Sequence, residues 1–341
     1  MLHSIPANQQ CAFCYKISDA VLKVCSQCKA RHFCSVECQT QDWRTGHKQF
    51  CGNAGEYGRD YCVQASPGKG MGVFALRDFA RGEKIMVERS LFGENTKFLV
   101  GEKVVCPPAS QVAIDQLLPV GGSLEDKLHL NSIAYDDKGI EGGLFVRMSR
   151  VNHHCLGNTE HPFVAKRGVM VLSASLVIKR GQEITFAYKG LASVNDFKHR
   201  RRNLKMAFGF DCACEVCTTA ELSSRILACL ERDDQIFFLI SMARMEQAMR
   251  VGMKQLAEYD AIGMPLINYE RTYYDLFQAA IAKKKFVNQG REFVRKTVEY
   301  MVMLYGEGNN DDIERFLAYA ERPELHRNYL LCDRAGRYGV Q

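Results

Sequence analysis

The sequence predicts an α+β chain of 341 residues built from three regions of different character. Cysteine and histidine residues cluster between residues 11 and 51, and β-type runs separated by glycine-containing turns follow in the middle of the chain. Beyond residue 218, apolar residues recur at helical spacing. We therefore expect a small metal-stabilised module, a β-rich domain and an all-helical C-terminal region.

The composition is that of a globular protein in a reducing compartment. Hydrophobic residues make up 47% of the chain, and the formal charge of +6 allows an acidic partner without requiring one. No apolar run approaches the roughly 18 to 20 residues that span a bilayer, and residues 1–10 lack the pattern of a signal peptide. We expect no membrane contact and a location in the cytoplasm or nucleus, where fifteen cysteines need an explanation other than disulfides.

The first cluster has the spacing of metal ligands. It reads Cys11-x2-Cys14, Cys25-x2-Cys28, Cys34-x3-Cys38 and His47-x3-Cys51. Two ligands with two or three residues between them can bind one tetrahedral zinc ion, at about 2.3 Å from each sulfur. Eight ligands fill two closed sites and leave no position for water, so the predicted role is structural. Zinc binding worth on the order of 10 kcal/mol compensates for the small core that about 40 residues can build.

The rest of the chain divides into a linker, a β-rich part and a helical part. Residues 52–60 are glycine-rich and charged, which is typical of a linker. Strands are predicted at residues 73–75, 84–88, 169–178 and 184–188. A stripe of apolar residues near helical spacing predicts the first helices of the C-terminal region; it contains Ile226, Leu227, Leu230, Phe237, Phe238, Ile240 and Met245.

Four short segments carry the chemistry. Residues 67–72 form a glycine loop whose backbone could approach a ligand, although a plain turn is an equal alternative. Residues 149–158 are polar, and residues 183–188 form a strand that ends in Tyr188. The fourth segment offers three thiolates where a closed zinc site needs four, and Cys155 could supply the missing one. These three thiolates belong to Cys212, Cys214 and Cys217.

A hydrolytic metal site is an alternative for the polar segment and its surroundings. Its ligands would be His153, His154, Cys155 and His161. Neighbouring histidines on an extended chain point to opposite faces, so His153 and His154 would not easily share one ion. We therefore favour the assignment of Cys155 to a zinc site with the three thiolates of the fourth segment.

With Phe33 before Cys34 and Trp43 before His47, residues 11–51 resemble the MYND zinc finger. The resemblance implies that the ligand pairs interleave, with Cys11, Cys14, Cys34 and Cys38 on one ion and Cys25, Cys28, His47 and Cys51 on the other. It also implies a module for protein interaction, often with proline-containing peptides. Phe33 or Trp43 could instead be core residues.

The four later segments, in their order, resemble the SET family of lysine methyltransferases and its SET-and-MYND (SMYD) branch. The likeness covers residues 62–217. Residues 152–158 (NHHCLGN) are similar to the family's Asn-His-Ser-Cys-x-Pro-Asn, residues 183–188 to its last strand, and residues 212–217 to its post-SET cysteines. In addition, Asn131-Ser-Ile is similar to a stretch that contacts the cofactor.

The sequence departs from the SMYD pattern in two ways. The finger precedes the SET region, whereas in SMYD proteins it is inserted within it. Phe208 stands where these enzymes usually have a second active-site tyrosine, so one hydroxyl of the lysine channel is missing. Gly157 in place of proline and His154 in place of serine are milder changes.

The resemblance implies S-adenosylmethionine as cofactor, a protein lysine as acceptor and Tyr188 as the catalytic tyrosine. Phe186 and Phe208 would line the lysine channel. Phenylalanine at 186 leaves room for more than one methyl group, although it could equally be an ordinary strand aromatic. The cofactor would be held by Lys69, Gly70, Met71, Asn131, Asn152, His153, Tyr188 and Phe210. A third zinc would bind Cys155, Cys212, Cys214 and Cys217.

We therefore expect a protein-lysine N-methyltransferase, acting on a histone or another protein, with a MYND finger that recruits partners. The alternatives are a catalytically silent adaptor that binds proteins, or an enzyme with a non-lysine acceptor. The basic run at residues 199–202 is typical of a solvated helix face but could meet nucleic acid or an acidic substrate. The predicted boundaries are 1–10 (tail), 11–51 (finger), 57–217 (SET) and 218–341 (helices), in a monomer.

Overall fold

The structure is a computed structural model that describes residues 5–92, 106–135, 141–188 and 197–337. The chain forms two compact units. The first contains residues 1–188 and 207–209, and the second contains residues 189–206 and 210–341. Within the described ranges, no helix is both long and apolar enough to cross a membrane.

The finger, at the start of the first unit, has little regular structure. Its elements are strands β1 (Lys23–Val24) and β2 (His32–Phe33) and helices α1 (Val36–Asp42) and α2 (Lys48–Phe50). The side chain of Ser35 caps α1 by accepting a hydrogen bond from the Cys38 amide at 3.1 Å. Phe33 is completely buried among the cysteines, so it is a core residue of the finger and offers no surface to a peptide.

In the described residues of the first unit, the β-rich part forms two four-stranded sheets and one two-stranded pair. The strands are β3 (Tyr61–Ser66), β4 (Gly70–Ala75), β5 (Lys84–Arg89), β6 (Ser132–Ala134), β7 (Gly142–Leu144), β8 (Asn152–His153), β9 (Thr159–Glu160), β10 (Phe163–Val164), β11 (Val169–Ala174) and β12 (Glu183–Phe186). One sheet has the order β10-β11-β5 with β9 also on β11, the other has the order β3-β4-β12-β8, and β6 pairs with β7. Short helices α3 (Gln111–Asp115) and α4 (Leu124–Asn131) precede β6.

The predicted strands are confirmed in position but differ in length. The run at residues 169–178 is a strand only as far as Ala174, and the strand predicted to end in Tyr188 ends at Phe186. After β11 ends, Ile178 forms an isolated bridge with Phe79. Apolar side chains from both sheets, such as Val73 of β4 and Ile85 of β5, are fully buried in one common core.

The predicted linker at residues 52–60 was wrong. Gly55 donates its amide to the carbonyl of Lys84 at 2.9 Å, and Glu56 and Tyr57 are buried. The glycines and charges of this segment suggested solvent exposure, but the charges are paired inside the unit. This segment joins the finger to the sheet without a gap.

A buried arginine ties the finger to the sheet. The Arg31 guanidinium donates to the carbonyl of Val87 in β5 at 3.0 Å and to the Asp42 carboxylate at 3.2 Å. Its Nε lies 3.3 Å from Glu56 Oε2. Because all three charged side chains are buried, each needs the others to offset the loss of water.

A second polar contact across the same boundary involves Glu88 of β5. Its carboxylate accepts a hydrogen bond from the Tyr15 hydroxyl of the finger and from the amides of Arg147 and Met148, at 2.8 and 2.9 Å. The Arg147 guanidinium lies over the ring of Tyr57 at 5.0 Å. The finger is therefore an integral part of the first unit.

The described part of the second unit is helical, as the sequence predicts. Its helices are α5 (Phe197–Phe208), whose last two residues belong to the first unit, α6 (Glu215–Thr218), α7 (Ala220–Ser241), α8 (Met245–Ile262), α9 (Leu266–Ile281), α10 (Val287–Tyr305), α11 (Asp311–Glu321) and α12 (Leu331–Arg337). A buried network links α7 to α8, where the amide of Gln255 and the hydroxyl of Tyr259 both donate to Asp233, at 2.8 and 3.0 Å.

Two residues of the predicted helical stripe point the other way. Phe237 and Phe238 in α7 are 68% and 57% exposed, whereas Ile236 and Leu239 beside them are buried. Either the phenylalanine pair or the Ile236 and Leu239 pair could belong to an apolar face with a period of 3.6 residues. Packing against the neighbouring helices decides which pair faces the core. The basic run at residues 199–202 is likewise mixed, because Arg200 is buried and Arg202 is exposed.

The buried charge network predicts a large cost for removing Arg31. The Arg31→Met variant leaves Asp42 and Glu56 buried without a counter-charge, so at pH 8 we expect a loss of about 3 to 5 kcal/mol in the free energy of unfolding. Urea denaturation of the zinc-loaded protein measures this. Arg295→Met, which removes the exposed pair with Glu292, is the matched control and should cost less than about 1 kcal/mol. Equal stabilities of the two variants would contradict the prediction.

A second prediction concerns Glu270 of α9. Burial, together with the charges of Asp312 and Asp275, raises its pKa to about 7. Since this pKa lies above the unfolded value, the stabilising contribution is complete below about pH 4.5 and is lost as the pH rises through about 7. Glu270→Gln stays neutral, so it should match the parent at pH 4.5 and exceed it by about 2 to 3 kcal/mol at pH 8 in urea denaturation. A difference that is independent of pH would contradict this assignment.

Candidate functional site

The finger brings its ligands together in the interleaved pairing. The ligand atoms of Cys11, Cys14, Cys34 and Cys38 lie within 4.8 Å of one another, as do those of Cys25, Cys28, His47 and Cys51. In the first set, the sulfur of Cys34 is 3.6 Å from those of Cys14 and Cys38. A tetrahedral zinc with bonds of about 2.3 Å separates its sulfurs by about 3.8 Å, so these groups fit zinc.

The second set contains the only non-thiol ligand of the finger. His47 Nε2 lies 3.4 Å from the sulfur of Cys25 and 3.7 Å from that of Cys28. Burial, with the nearby Arg31 guanidinium, lowers the pKa of His47 to about 3, so its imidazole is neutral as a zinc ligand must be. The other ring nitrogen, Nδ1, faces the buried charges, 3.2 Å from Arg31 Nη1 and 3.9 Å from Glu56 Oε1.

Three of the four ligands predicted for the third zinc site lie close together. Cys212, Cys214 and Cys217 belong to the second unit, where their sulfurs lie within 4.8 Å of one another. Cys155 belongs to the first unit and is buried. Three convergent thiols suit zinc, and the supply of the fourth ligand by Cys155 stays a prediction.

Several predicted cofactor residues meet on the carboxylate of Glu183 at the start of β12. Asn152 and Ser66 donate to its Oε1, both at 2.8 Å, and the Lys69 ammonium lies 2.9 Å from its Oε2. Although burial raises the pKa of Glu183, these three donors bring it below the usual value, so the group is a carboxylate. Asn152 also donates to the carbonyl of Met71 at 3.1 Å, which joins the glycine loop to the network.

Gly72 is required for this close approach. A Cβ at this position would lie 2.5 Å from Glu183 Oε1 and 2.8 Å from the amide nitrogen of Asn152. The absence of a side chain at Gly72 therefore lets the backbone of β4 come against the polar network.

A parallel pairing positions Tyr188. Strand β8 pairs with β12 so that Asn152 is opposite Thr185 and His153 is opposite Phe186. The Tyr188 amide donates to His153 Nδ1 at 3.1 Å, and the Tyr188 hydroxyl donates to the carbonyl of Val151 at 2.9 Å. Burial, then the charge of Glu183, raises the pKa of Tyr188, so it remains a protonated phenol with acceptor capacity on its oxygen.

Aromatic rings surround Tyr188. The centroid of Phe186, the last residue of β12, lies 5.5 Å from that of Tyr188, which follows the strand. Phe208 packs edge-on to Tyr188 at 4.9 Å, and His161 lies against Phe186 at 4.2 Å. We call these four side chains the aromatic cluster.

The loop after β8 is held tightly against β12. Asn158 donates to the carbonyl of Glu183 at 2.9 Å and accepts from the Thr185 amide at 2.8 Å. Gly157 has a φ of +62°, and a Cβ there would lie 2.8 Å from the Cα of Phe186. Proline, fixed near −65°, could not adopt this backbone, which explains the departure from the family pattern at this position.

Other predicted residues are not part of this network. The side chain of Asn131 donates locally, to the carbonyls of Leu118 and Lys127, and Phe210 belongs to the second unit. His154 accepts from the amides of Leu156 and Gly157. Among the described residues, no group of potential metal ligands includes His153, His154 or His161, so the hydrolytic alternative gains no support.

Sequence reasoning missed the role of Glu183 and of the Val151 carbonyl. A carboxylate that begins an otherwise apolar strand is the signal that could have revealed Glu183, because such a group needs donors when it is buried. The contact between His161 and Phe186 had no local signal.

Two protein-family models match the stretches of chain that form the finger and the candidate site. The model of the MYND finger family matches residues 11–51, and that of the SET domain family matches residues 70–189. The chain joins a MYND finger to a SET domain. This confirms the resemblance to the SET-and-MYND methyltransferases that the motifs predicted.

Three of the curated proteins that this chain is similar to carry names of lysine methyltransferases. The histone-lysine N-methyltransferase set5 of Schizosaccharomyces pombe is 27% identical over 191 residues, which cover 54% of this chain and 59% of that protein. The histone-lysine N-methyltransferase Smyd1 of Mus musculus is 26% identical over 259 residues, covering 66% and 50%. The N-lysine methyltransferase SMYD2 of Homo sapiens is 23% identical over 231 residues, covering 63% and 52%.

The chain therefore spans about half the length of these relatives, from 50% to 59%. Among solved structures, ctPRC2 in an autoinhibited conformation bound to S-adenosylmethionine is 13% identical, with a TM-score of 0.25 over 82% of this chain and 33% of that chain. A likeness this low supports no inference beyond the family matches.

The ligand sets predict three zinc ions per chain. Mass spectrometry under native conditions should find three for the parent and two each for Cys28→Ser and Cys214→Ser, because a closed site that loses a thiolate loses affinity. Cys229→Ser is the matched control and should keep three. Two ions in the parent would refute the third site, and three in Cys28→Ser would refute the second.

Proposed function

We propose that this protein is an S-adenosylmethionine-dependent protein-lysine N-methyltransferase. The observation that carries the proposal is the environment of Tyr188. Its hydroxyl is held by the Val151 carbonyl inside the aromatic cluster, and the adjoining strand β8 places Asn152 in the polar network around Glu183. An apolar pocket for an alkylamine next to a polar site for a charged cofactor is what methyl transfer to lysine needs.

The residues of the polar network suit the cofactor. Its amino-acid part carries a carboxylate and an ammonium group, for which Lys69 and Glu183 offer complementary charges. Asn152 and the backbone of residues 69–71 would add hydrogen bonds, and His153, Asn131 and Phe210 would add contacts as the family resemblance implies. When bound, the cofactor supplies an electrophilic methyl group on a positively charged sulfur.

The protein's task is then to present a neutral amine. A free lysine with a pKa near 10.4 must give up its proton at a cost of about 4.6 kcal/mol at pH 7. The rings of Phe186 and Phe208 disfavour the ammonium form and so recover part of this cost. Alignment of the amine with the methyl group supplies much of the rest.

Tyr188 would orient the amine. Because its proton is donated to Val151, the hydroxyl oxygen offers lone pairs to an N–H group or to the methyl hydrogens. The amine lone pair forms the new bond to carbon as the carbon–sulfur bond breaks and its electrons remain on sulfur. The surplus N–H proton then leaves to solvent, so no general base is required.

The finer expectations remain proposals. The MYND finger would recruit protein partners, including proline-containing peptides, in addition to its structural role beneath β5. The target protein, histone or otherwise, is not specified by the described residues. Location in the cytoplasm or nucleus, a monomeric state and contact with nucleic acid also stay predictions.

The first test concerns Tyr188. The Tyr188→Phe variant removes the hydroxyl, so we expect the rate of methyl transfer to a peptide library to fall about 10²-fold. Affinity for S-adenosylmethionine in calorimetry should change less than about 3-fold, since the ring and the backbone remain. Tyr329→Phe, in the second unit, is the control and should behave as the parent.

The same experiment separates the enzyme from the adaptor. A folded, zinc-loaded parent that binds no S-adenosylmethionine would refute the enzyme and favour the silent adaptor. A parent that is active only on acceptors other than lysine would refute the substrate class. Undiminished transfer by Tyr188→Phe would show that another group orients the amine.

A further inference from the structure

His161 is a polar side chain inside the aromatic cluster. Its ring packs on Phe186 with centroids 4.2 Å apart and an angle of 34° between the planes, and Phe186 in turn contacts Tyr188. The neighbouring rings of Phe186 and Phe208 offer no hydrogen-bonding group. Besides Tyr188 and His153, whose ring packs edge-on to Tyr188 at 5.2 Å, His161 brings a polar side chain to the proposed amine pocket.

The backbone on both sides of His161 is held by the sheets. The Thr159 hydroxyl donates to the carbonyl of Thr185 at 2.8 Å, and the Val171 amide donates to the carbonyl of Pro162 at 3.0 Å. Phe163 is paired with Met170 in β11. The imidazole is thus positioned by strands and not by a free loop, which suits a group that must hold a ligand in place.

The imidazole has an unsatisfied nitrogen. His161 Nδ1 is buried and has no hydrogen-bond partner in the structure. The Nδ1 atoms of His153, His154 and His326 each accept a backbone amide. A buried polar atom without a partner is unfavourable unless a ligand or water completes it. Burial lowers the pKa of His161 to about 4, so the ring is neutral at pH 7 and one nitrogen is an acceptor.

We propose that His161 is a positioning residue that accepts a hydrogen bond from the amine of the target lysine. This inference rests on the proposed function, which brings an amine to the aromatic cluster. The His161 Nδ1 atom would orient the neutral amine so that the amine lone pair faces the cofactor. The same hydrogen bond would give Nδ1 the partner that it lacks.

The proposal also bears on the number of methyl groups. A neutral primary amine has two N–H groups, a monomethylated amine has one, and a dimethylated amine has none. His161 therefore assists the first and second transfers and contributes nothing to the third. We expect dimethyllysine as the final product. Phe186 alone predicts only that more than one methyl group is added.

Three variants test the role of the acceptor. His161→Leu replaces the ring by an apolar group, and His161→Asn keeps a polar atom near the position of Nδ1. Under single-turnover conditions, His161→Leu should transfer the first methyl about 10-fold more slowly, the effect of one neutral hydrogen bond. His161→Asn should remain within about 3-fold of the parent. His32→Leu, which removes another buried, unpartnered Nδ1 in the finger, is the matched control and should not change the rate.

A purely structural role has a different signature. Removing an unsatisfied polar atom should leave the melting temperature of His161→Leu equal or higher, with S-adenosylmethionine affinity unchanged in calorimetry. A lower melting temperature together with weaker cofactor binding would identify a structural role and overturn the proposal. If His161→Leu does not fold, failure of the folded His161→Asn to retain activity would overturn it as well.

The products distinguish this proposal from the proposed function. Dimethyllysine from the parent, by mass spectrometry, supports the role of His161, and trimethyllysine as the main product overturns it. An active parent with an equally fast His161→Leu variant would overturn the role of His161 alone. A folded parent that transfers no methyl group would overturn the proposed function, and this inference with it.

Discussion

The candidate site depends on the short parallel pairing between β8 and β12, two strands separated by about thirty residues of chain. This pairing sets Asn152 and His153 beside Thr185 and Phe186, so that the polar network and the aromatic cluster lie on neighbouring stretches of the same strands. Asn158 and Gly157 then press the following loop against β12. Because parallel neighbours need a long connection, the segment between them is free to form β9, β10 and β11 and to deliver His161 to Phe186.

Strand β12 carries a charged environment at one end and an apolar environment at the other. Glu183, the first residue of β12, is kept charged by Asn152, Lys69 and Ser66, whereas Phe186, its last residue, packs in the aromatic cluster. The first environment would suit the charged cofactor of the proposed reaction, and the second would suit its neutral amine. One short strand therefore carries both environments.

The finger contributes to the same framework through buried charges. Arg31, Asp42 and Glu56 exchange their interactions with water for interactions with one another, and Arg31 also reaches the backbone of β5. Zinc is coupled to this network, because His47 is both a ligand and a neighbour of Arg31 and Glu56. The spacing of its ligands and the family resemblance suggest that the finger is an independent module for recruiting partners. In the structure it is instead part of the first unit, which also contains the β-rich domain.

The sequence by itself determined the features that depend on short stretches of chain. Zinc ligand pairs lie two or three residues apart, strands alternate with period two, and helices repeat with period 3.6, so the eight finger ligands, the main strands and the helical region were predictable. Tertiary structure alone decided that residues 52–60 are buried, that Phe237 and Phe238 face outward, that Glu183 collects its donors and that His161 meets Phe186. Each of these depends on contacts between residues far apart in the chain, whose geometry no local pattern encodes.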